Sequence, residues 1–234
     1  MHIYINQPFG IGDCIFAVTI ARKYMMEGHQ VTWGVFPQFV EQLRRAYPDI
    51  NWIMYEDSGI NHDRMDEHER NGYTVLPLRW ACELLRLPYD QTMRAKYDLL
   101  KQDYKTWAEN AMWNRDYNKE TTLYNALMEQ NNIANDEYIF INKTYGSATR
   151  DKIIGENMPS GKGVIELKPY YGYSLFDWAA ILEKASEIHT VSTSIFYILE
   201  KLDIKCDIHL YPRPNDPKFK HIDYLFTKKY ILHT

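Results

Sequence analysis

The first group able to do chemistry is an aspartate directly after a second glycine, in the run Pro8-Phe9-Gly10-Ile11-Gly12-Asp13. Glycines let a backbone approach a ligand closely, and a helix that starts there offers free amides. Asp13 has two readings in such a place. It is a helix N-cap, a common use of aspartate, or it is a carboxylate that takes a proton as a general base. A dinucleotide fingerprint requires a third glycine where Ile15 stands, and an acidic residue where the next apolar run ends in Trp33-Gly34-Val35-Phe36. Both are missing, which argues against a nicotinamide cofactor.

Four further groups follow. Ser192, Thr193 and Ser194 lie between a strand-like and a helix-like run. Their hydroxyls can donate to phosphate together with helix amides, or simply cap the helix. Lys143, Arg150 and Lys152 follow a strand-like run and have the charge to neutralise a diphosphate, or form a solvated loop. Glu166 ends another such run, where a carboxylate can accept from ribose hydroxyls. Tyr170, Tyr171 and Tyr173 come next, able to stack on a base or to decorate a turn set by Pro169 and Gly172. Last, His62, Asp63, Asp66, His68 and Glu69 are metal-ligand types at a spacing that matches no zinc pattern, so a solvated loop is the reading, with a part in acceptor binding left open.

The elements that must position these groups alternate. "HIYINQ" reads as a strand, Asp13 to Gly28 as a helix, "QVTWGVF" as a strand, the run from Pro37 as a helix and "INWIMY" as a third strand. That order predicts a parallel sheet with crossover helices. The polar run from Glu56 to Tyr73 reads as loop, and residues 78–131 as mostly helical. Alternation then resumes: strands at "EYIFINKT" and "GVIELK", a helix at "SLFDWAAILEKA", a strand at "IHTVS", a helix at "TSIFYILEKL" and a last strand at "CDIHLYP". The basic, aromatic tail is expected to pack back across the first half. The prediction is an α/β protein of two Rossmann-like halves facing a cleft, residues 1–132 and 133–234.

The 234 residues are 45% hydrophobic and 25% charged, with a net charge of -4 and a pI near 6.1. No global basic field favours nucleic acid. Cys14, Cys82 and Cys206 are far apart, which suits reduced thiols and neither zinc nor a disulfide framework. No basic leader or long apolar run is visible, so a cytoplasmic protein without a transmembrane segment is expected.

Two blocks carry a resemblance. "GIGDCIFAVTIARKY" is similar to the N-terminal signature of the heptosyltransferase family of lipopolysaccharide synthesis, in which a Gly-Asp pair opens the first helix; Gly12 and Asp13 match that pair. "SLFDWAAILEKASEIHTVSTSIFYILEKL" is similar to that family's C-terminal block, and also resembles the Ser-rich donor motif of some fucosyltransferases. The family's Gly-Pro-x-His continuation is replaced by "TSIFY". The resemblance implies a GT-B-like fold and a glycosyltransferase, inverting and independent of metal or other cofactor. It implies Asp13 as the base in a cleft loop with Gly10, Ile11 and Gly12. The nucleotide-sugar donor would then lie by Lys143, Arg150, Lys152, Glu166, Tyr173, Ser192, Thr193 and Ser194, and the acceptor would be a carbohydrate or other hydroxyl compound. The rival readings are a non-catalytic nucleotide- or sugar-binding module of the same fold and an epimerase-like Rossmann enzyme.

Overall fold

The computed structural model describes residues 1–65, 69–133, 137–147, 150–153, 158–161, 163–213 and 222–233, without the side chains of 145–147 and 150–153. Two compact units emerge, Met1–Asn114 and Arg115–Thr234.

In the first unit the alternation is realised as β1 (His2–Asn6), α1 (Ile11–Met26), β2 (Gln30–Val35), α2 (Pro37–Ala46) and β3 (Asn51–Met54). A hairpin follows, β4 (Glu69–Arg70) and β5 (Tyr73–Leu76), then α3 (Ala81–Leu85) and α4 (Thr92–Asp98). The sheet order is β3-β2-β1-β5-β4, parallel except for β4. β4 and the hairpin turn lie in the run read as loop. That turn is Asn71-Gly72, both at positive φ (52° and 80°), the geometry that Asn-Gly supplies to a tight hairpin.

The strands are buried because β-branched and aromatic residues fill them, Ile3, Tyr4 and Ile5 in β1 and Val31, Trp33 and Val35 in β2. Helix α1 is buried almost all round: Cys14, Ile15, Phe16, Ala17, Val18, Ile20 and Ala21 are all within the core. Its outer side is covered by the segment after α3. The Tyr97 hydroxyl donates to the Phe16 carbonyl at 2.8 Å, and the Thr19 hydroxyl to the Trp107 carbonyl at 2.6 Å. The Phe16 ring sits 4.9 Å from that of Tyr97 and 5.5 Å from that of Trp107. Each such side chain contributes about 1.5–3 kcal/mol on burial, so the start of α1 is held firmly.

The second unit runs α5 (Tyr117–Gln130), β6 (Ile139–Asn142), β7 (Thr144–Ser147), β8 (Arg150–Ile153), β9 (Val164–Glu166), α6 (Ala179–Lys184), β10 (Glu187–Val191), α7 (Ile195–Lys201), β11 (Asp207–Tyr211) and β12 (Ile231–Leu232). Its main sheet is parallel, in the order β12-β11-β10-β6-β9. Two differences from the sequence reading stand out. The loop after β6 carries an antiparallel hairpin, β7 with β8. The described end of the tail adds β12 beside β11, in the sheet of its own unit. Arg115 braces this unit, with its guanidinium held by Glu120 and by Glu183 at 2.8 Å.

Candidate functional site

In an open parallel sheet, ligands sit beyond the carboxyl ends of the strands where the strand order reverses. In the first unit β2 and β3 lie to one side of β1 and β5 to the other, so the reversal falls between β1 and β5. The turn of Gly10 to Asp13 follows β1 at that place.

Asp13 is not the helix cap. Gly10 holds the N-cap position at φ 75°, and Asp13 is the third residue of α1, with no side-chain cap bond at the helix start. The carboxylate is held from elsewhere. Its Oδ1 accepts from Lys96 Nζ at 2.9 Å, while its Oδ2 lies against Gly10, where an added Cβ would come within 2.4 Å. Lys96 is 1% exposed and the Asp13 side chain 33% exposed, so the carboxylate is anchored from inside and remains reachable from outside. The neighbouring Cys14 is fully buried, and its thiol is pushed well up, first by burial and then by the Asp13 charge.

Polar groups collect beside this turn. Asn6 and Gln7 are buried at the end of β1. Asn6 Oδ1 pairs with His62 Nδ1 at 2.7 Å, and Gln7 Nε2 donates to the Phe9 carbonyl at 2.8 Å. Asn6 Nδ2 and Gln7 Oε1 are buried with no hydrogen-bond partner. Buried polar atoms of this kind are uncommon and fit a ligand or water contact. His62 is itself buried, which corrects the solvated-loop reading at that position. Its carbonyl accepts from Arg79 and Trp80, and Arg79 also pairs with Asp63 at 3.0 Å and lies over the Phe9 ring at 4.3 Å. Glu69 is exposed in β4; Asp66 and His68 lie outside the described residues.

In the second unit the strand order reverses between β6 and β10. Here Asn142, the last residue of β6, donates through Nδ2 to Thr193 Oγ1 and to Thr190 Oγ1, both at 3.0 Å. The Ser192–Ser194 turn is thereby tied to the end of β6. Ser192 is buried with its Oγ unpartnered. Ser194 is the N-cap of α7 and makes no side-chain cap bond. At seven residues α7 has only a short dipole to offer an anion. A cation stands beside the turn instead: Arg213 Nε donates to the Ser192 carbonyl at 2.7 Å. Sequence reasoning missed both Lys96 and Arg213. Arg213 lies two residues beyond the end of β11, where the strand-end rule applied to the other strands would have found it.

Lys143, Glu166 and Tyr170 line a single cavity of about 520 Å³ with Asn131, Ile165 and Trp178. Glu166 is paired with Lys168 at 3.4 Å. Tyr173 meets Tyr170 edge-on at 5.5 Å, with Lys119 Nζ 5.8 Å from its centroid, while Tyr171 is fully exposed. The structure thus brings Lys143, Glu166 and the Tyr170–Tyr173 pair together, and places the Ser192–Ser194 turn outside the lining of that cavity. The backbones of Arg150 and Lys152 belong to β8; their side chains lie outside the described part.

No family sequence model matches the chain, and no curated protein matches it in sequence. Solved structures do match. The glycosyl transferase family 9 protein from Veillonella parvula DSM 2008 aligns with 99% of this chain and 86% of its own at a TM-score of 0.52 and 9% identity. The dodecameric iron-containing heptosyltransferase TibC, in complex with ADP-D-beta-D-heptose, aligns with 100% of this chain at 0.54 and 10% identity. TibC from enterotoxigenic E. coli H10407 aligns with 90% of it at 0.50 and 11% identity. The chain spans 62% and 57% of the length of these two TibC chains. At such identities the likeness is one of fold. The two Rossmann-like units have the GT-B-like fold of glycosyltransferases.

Among the described residues, no helix is long and apolar enough to cross a membrane.

Proposed function

We propose that the chain is a glycosyltransferase that moves a sugar from a nucleotide-sugar donor to a hydroxyl acceptor, with inversion and without a metal at the reacting centre, in the cytoplasm. The observation that carries this reading is Asp13. It is a carboxylate at the strand-order reversal of a glycosyltransferase-like fold, fixed through one oxygen by a buried lysine and open to solvent in part. In the reaction Asp13 accepts the acceptor's hydroxyl proton as that oxygen forms its bond to the anomeric carbon. The bond from that carbon to the diphosphate breaks, and the nucleoside diphosphate leaves with the electron pair. Lys96 acts as a positioning residue. Asn6 Nδ2 and Gln7 Oε1 are suited to acceptor hydroxyls. Arg213, Ser192 and Thr193 are suited to the diphosphate, and Lys143, Glu166 and the Tyr170–Tyr173 pair to the nucleoside, with Arg150 and Lys152 as further cations.

The ion pair also favours a second reading, binding without turnover, because Asp13 compensates a buried ammonium whether or not it does chemistry. The test separates the two. Nucleoside diphosphates and nucleotide sugars are screened by thermal shift, and donor consumption is then followed with wild type, Asp13→Asn, and Asp13→Asn combined with Lys96→Met. A nucleotide shift in all three with turnover in wild type alone supports transfer. A shift without turnover in any of them supports a binding module. No shift in any of them overturns both readings.

A further inference from the structure

The histidines of the second sheet belong to neither region described above. His189 of β10 and His209 of β11 are register partners on adjacent parallel strands, and Glu187 lies two residues before His189 on the same face. One donor atom from each of Glu187, His189 and His209 falls within 4.8 Å of the others. We propose that these three side chains form a binding site for a divalent first-row transition cation of the zinc type, held across β10 and β11.

Three observations carry this. First, the donor set of two imidazoles and one carboxylate is one that such ions accept, with an open position left for water. Glu187 supplies its carboxylate from a side chain 47% exposed, so the site has an entrance.

Second, the spacing is close to that of a ligated pair. His189 Nε2 and Glu187 Oε2 are 3.0 Å apart. Metal bonds of about 2.0–2.1 Å at a tetrahedral angle set neighbouring donors about 3.3 Å apart, so a small outward shift admits the ion.

Third, both rings have partners on the far nitrogen, as metal-bound histidines do. His189 Nδ1 meets the Tyr211 hydroxyl at 3.0 Å, and His209 Nδ1 meets His233 Nε2 at 2.9 Å. With Nδ1–H donated outward, each Nε2 keeps its lone pair for the ion. In that arrangement Tyr211 accepts from the His189 Nδ1–H.

The geometry also states what loading must do. The His189 and His209 rings are stacked at 4.2 Å and 4°. An ion in the plane of the His189 ring lies out of the plane of the His209 ring. His209, the less buried of the two, therefore tilts on loading, and the stack opens. The site sits about 10 Å along β10 from the Ser192 turn, at about 3.3 Å per residue. The ion would clamp two strands and would not touch a donor diphosphate at that turn.

The test is titration of untagged, chelator-treated full-length protein with ZnCl2 by calorimetry and with CoCl2 by visible absorbance. The expected result is one equivalent of Zn2+ and a d–d band of a nitrogen- and oxygen-ligated Co2+. Glu187→Gln and His209→Gln should each weaken binding at least about tenfold. His29→Gln should not; it removes an imidazole beside the terminal amine, away from the proposed site. Both ligand variants alter partly exposed side chains, so the fold survives them, and circular dichroism checks it. No binding by wild type, or equal binding by wild type and both ligand variants, overturns the proposal.

Discussion

The two units use the same parallel-sheet plan and treat their strand ends differently. In the first, a sixteen-residue helix buried nearly all round fixes one carboxylate, and a lysine 83 positions later in the chain holds it from below. In the second, the corresponding turn precedes a seven-residue helix, leaves the Ser192 hydroxyl unpartnered and has a 520 Å³ cavity elsewhere in the same unit. Under the proposed function, the contrast amounts to a division of labour. A group that must meet a reacting atom needs a rigid seat, because misplacement by about 1 Å can cost a hundredfold in rate. A region that must grip a flexible ligand benefits from unpartnered polar atoms and room.

The largest effect expected from breaking this contrast is at Asp13. Asp13→Asn should lower turnover by about 10²–10⁴-fold, the usual contribution of a general base. It should also lower stability by about 3 kcal/mol, because Lys96 is left buried without its counter-charge. Adding Lys96→Met should restore the melting temperature and leave turnover lost; a melting temperature that stays low would show that the seat is not this ion pair.

Next comes Gly10→Ala. A Cβ at φ 75° strains the backbone and reaches within 2.4 Å of Asp13 Oδ2. Stability should fall by about 1–2 kcal/mol and turnover by about a hundredfold, with nucleotide binding unchanged. Chemical denaturation and steady-state kinetics check both.

In the second unit the effects should be smaller and fall on affinity. Arg213→Ala and Lys143→Ala should each weaken nucleoside diphosphate binding about tenfold, measured calorimetrically, with the melting temperature of the free protein moved by only a few degrees. A loss of stability matching that of Asp13→Asn would erase the distinction between the units. Smallest of all, Arg94→Ala removes an exposed ion pair with Asp98 on α4, the helix that carries Lys96. The expected change is below about 0.5 kcal/mol, which makes it a reference for the others.

Much of the frame is legible from residues alone. The alternation over the first 54 residues and the apolar runs of the second unit have long, clean periods, and these became the parallel strands and crossover helices. Short paired elements escaped. β4 has two residues in a charged run, and β12 has two in a basic tail. Neither is long enough for a period, although Asn71-Gly72 marks the first hairpin. The partner of Asp13 escaped for a different reason. Lys96 in "MRAKYDLL" looks like any solvated lysine, and only the packing of α4 on α1 takes it to 1% exposure. The histidine pair, which sequence reasoning also missed, lies in two similar runs, "EIHTV" and "DIHLY". Their side-by-side register comes from the sheet and cannot be read from either run alone.

β12 has a consequence beyond the site. It is the outermost strand of the second sheet, laid along β11. Removing β12 would leave the β11 edge bare at His209 and Leu210 as well, with unpaired amides and carbonyls there. Such an edge recruits other strands, including its own copies. β12 covers this edge at His209 and Leu210, and its removal is expected to raise turbidity before activity is lost.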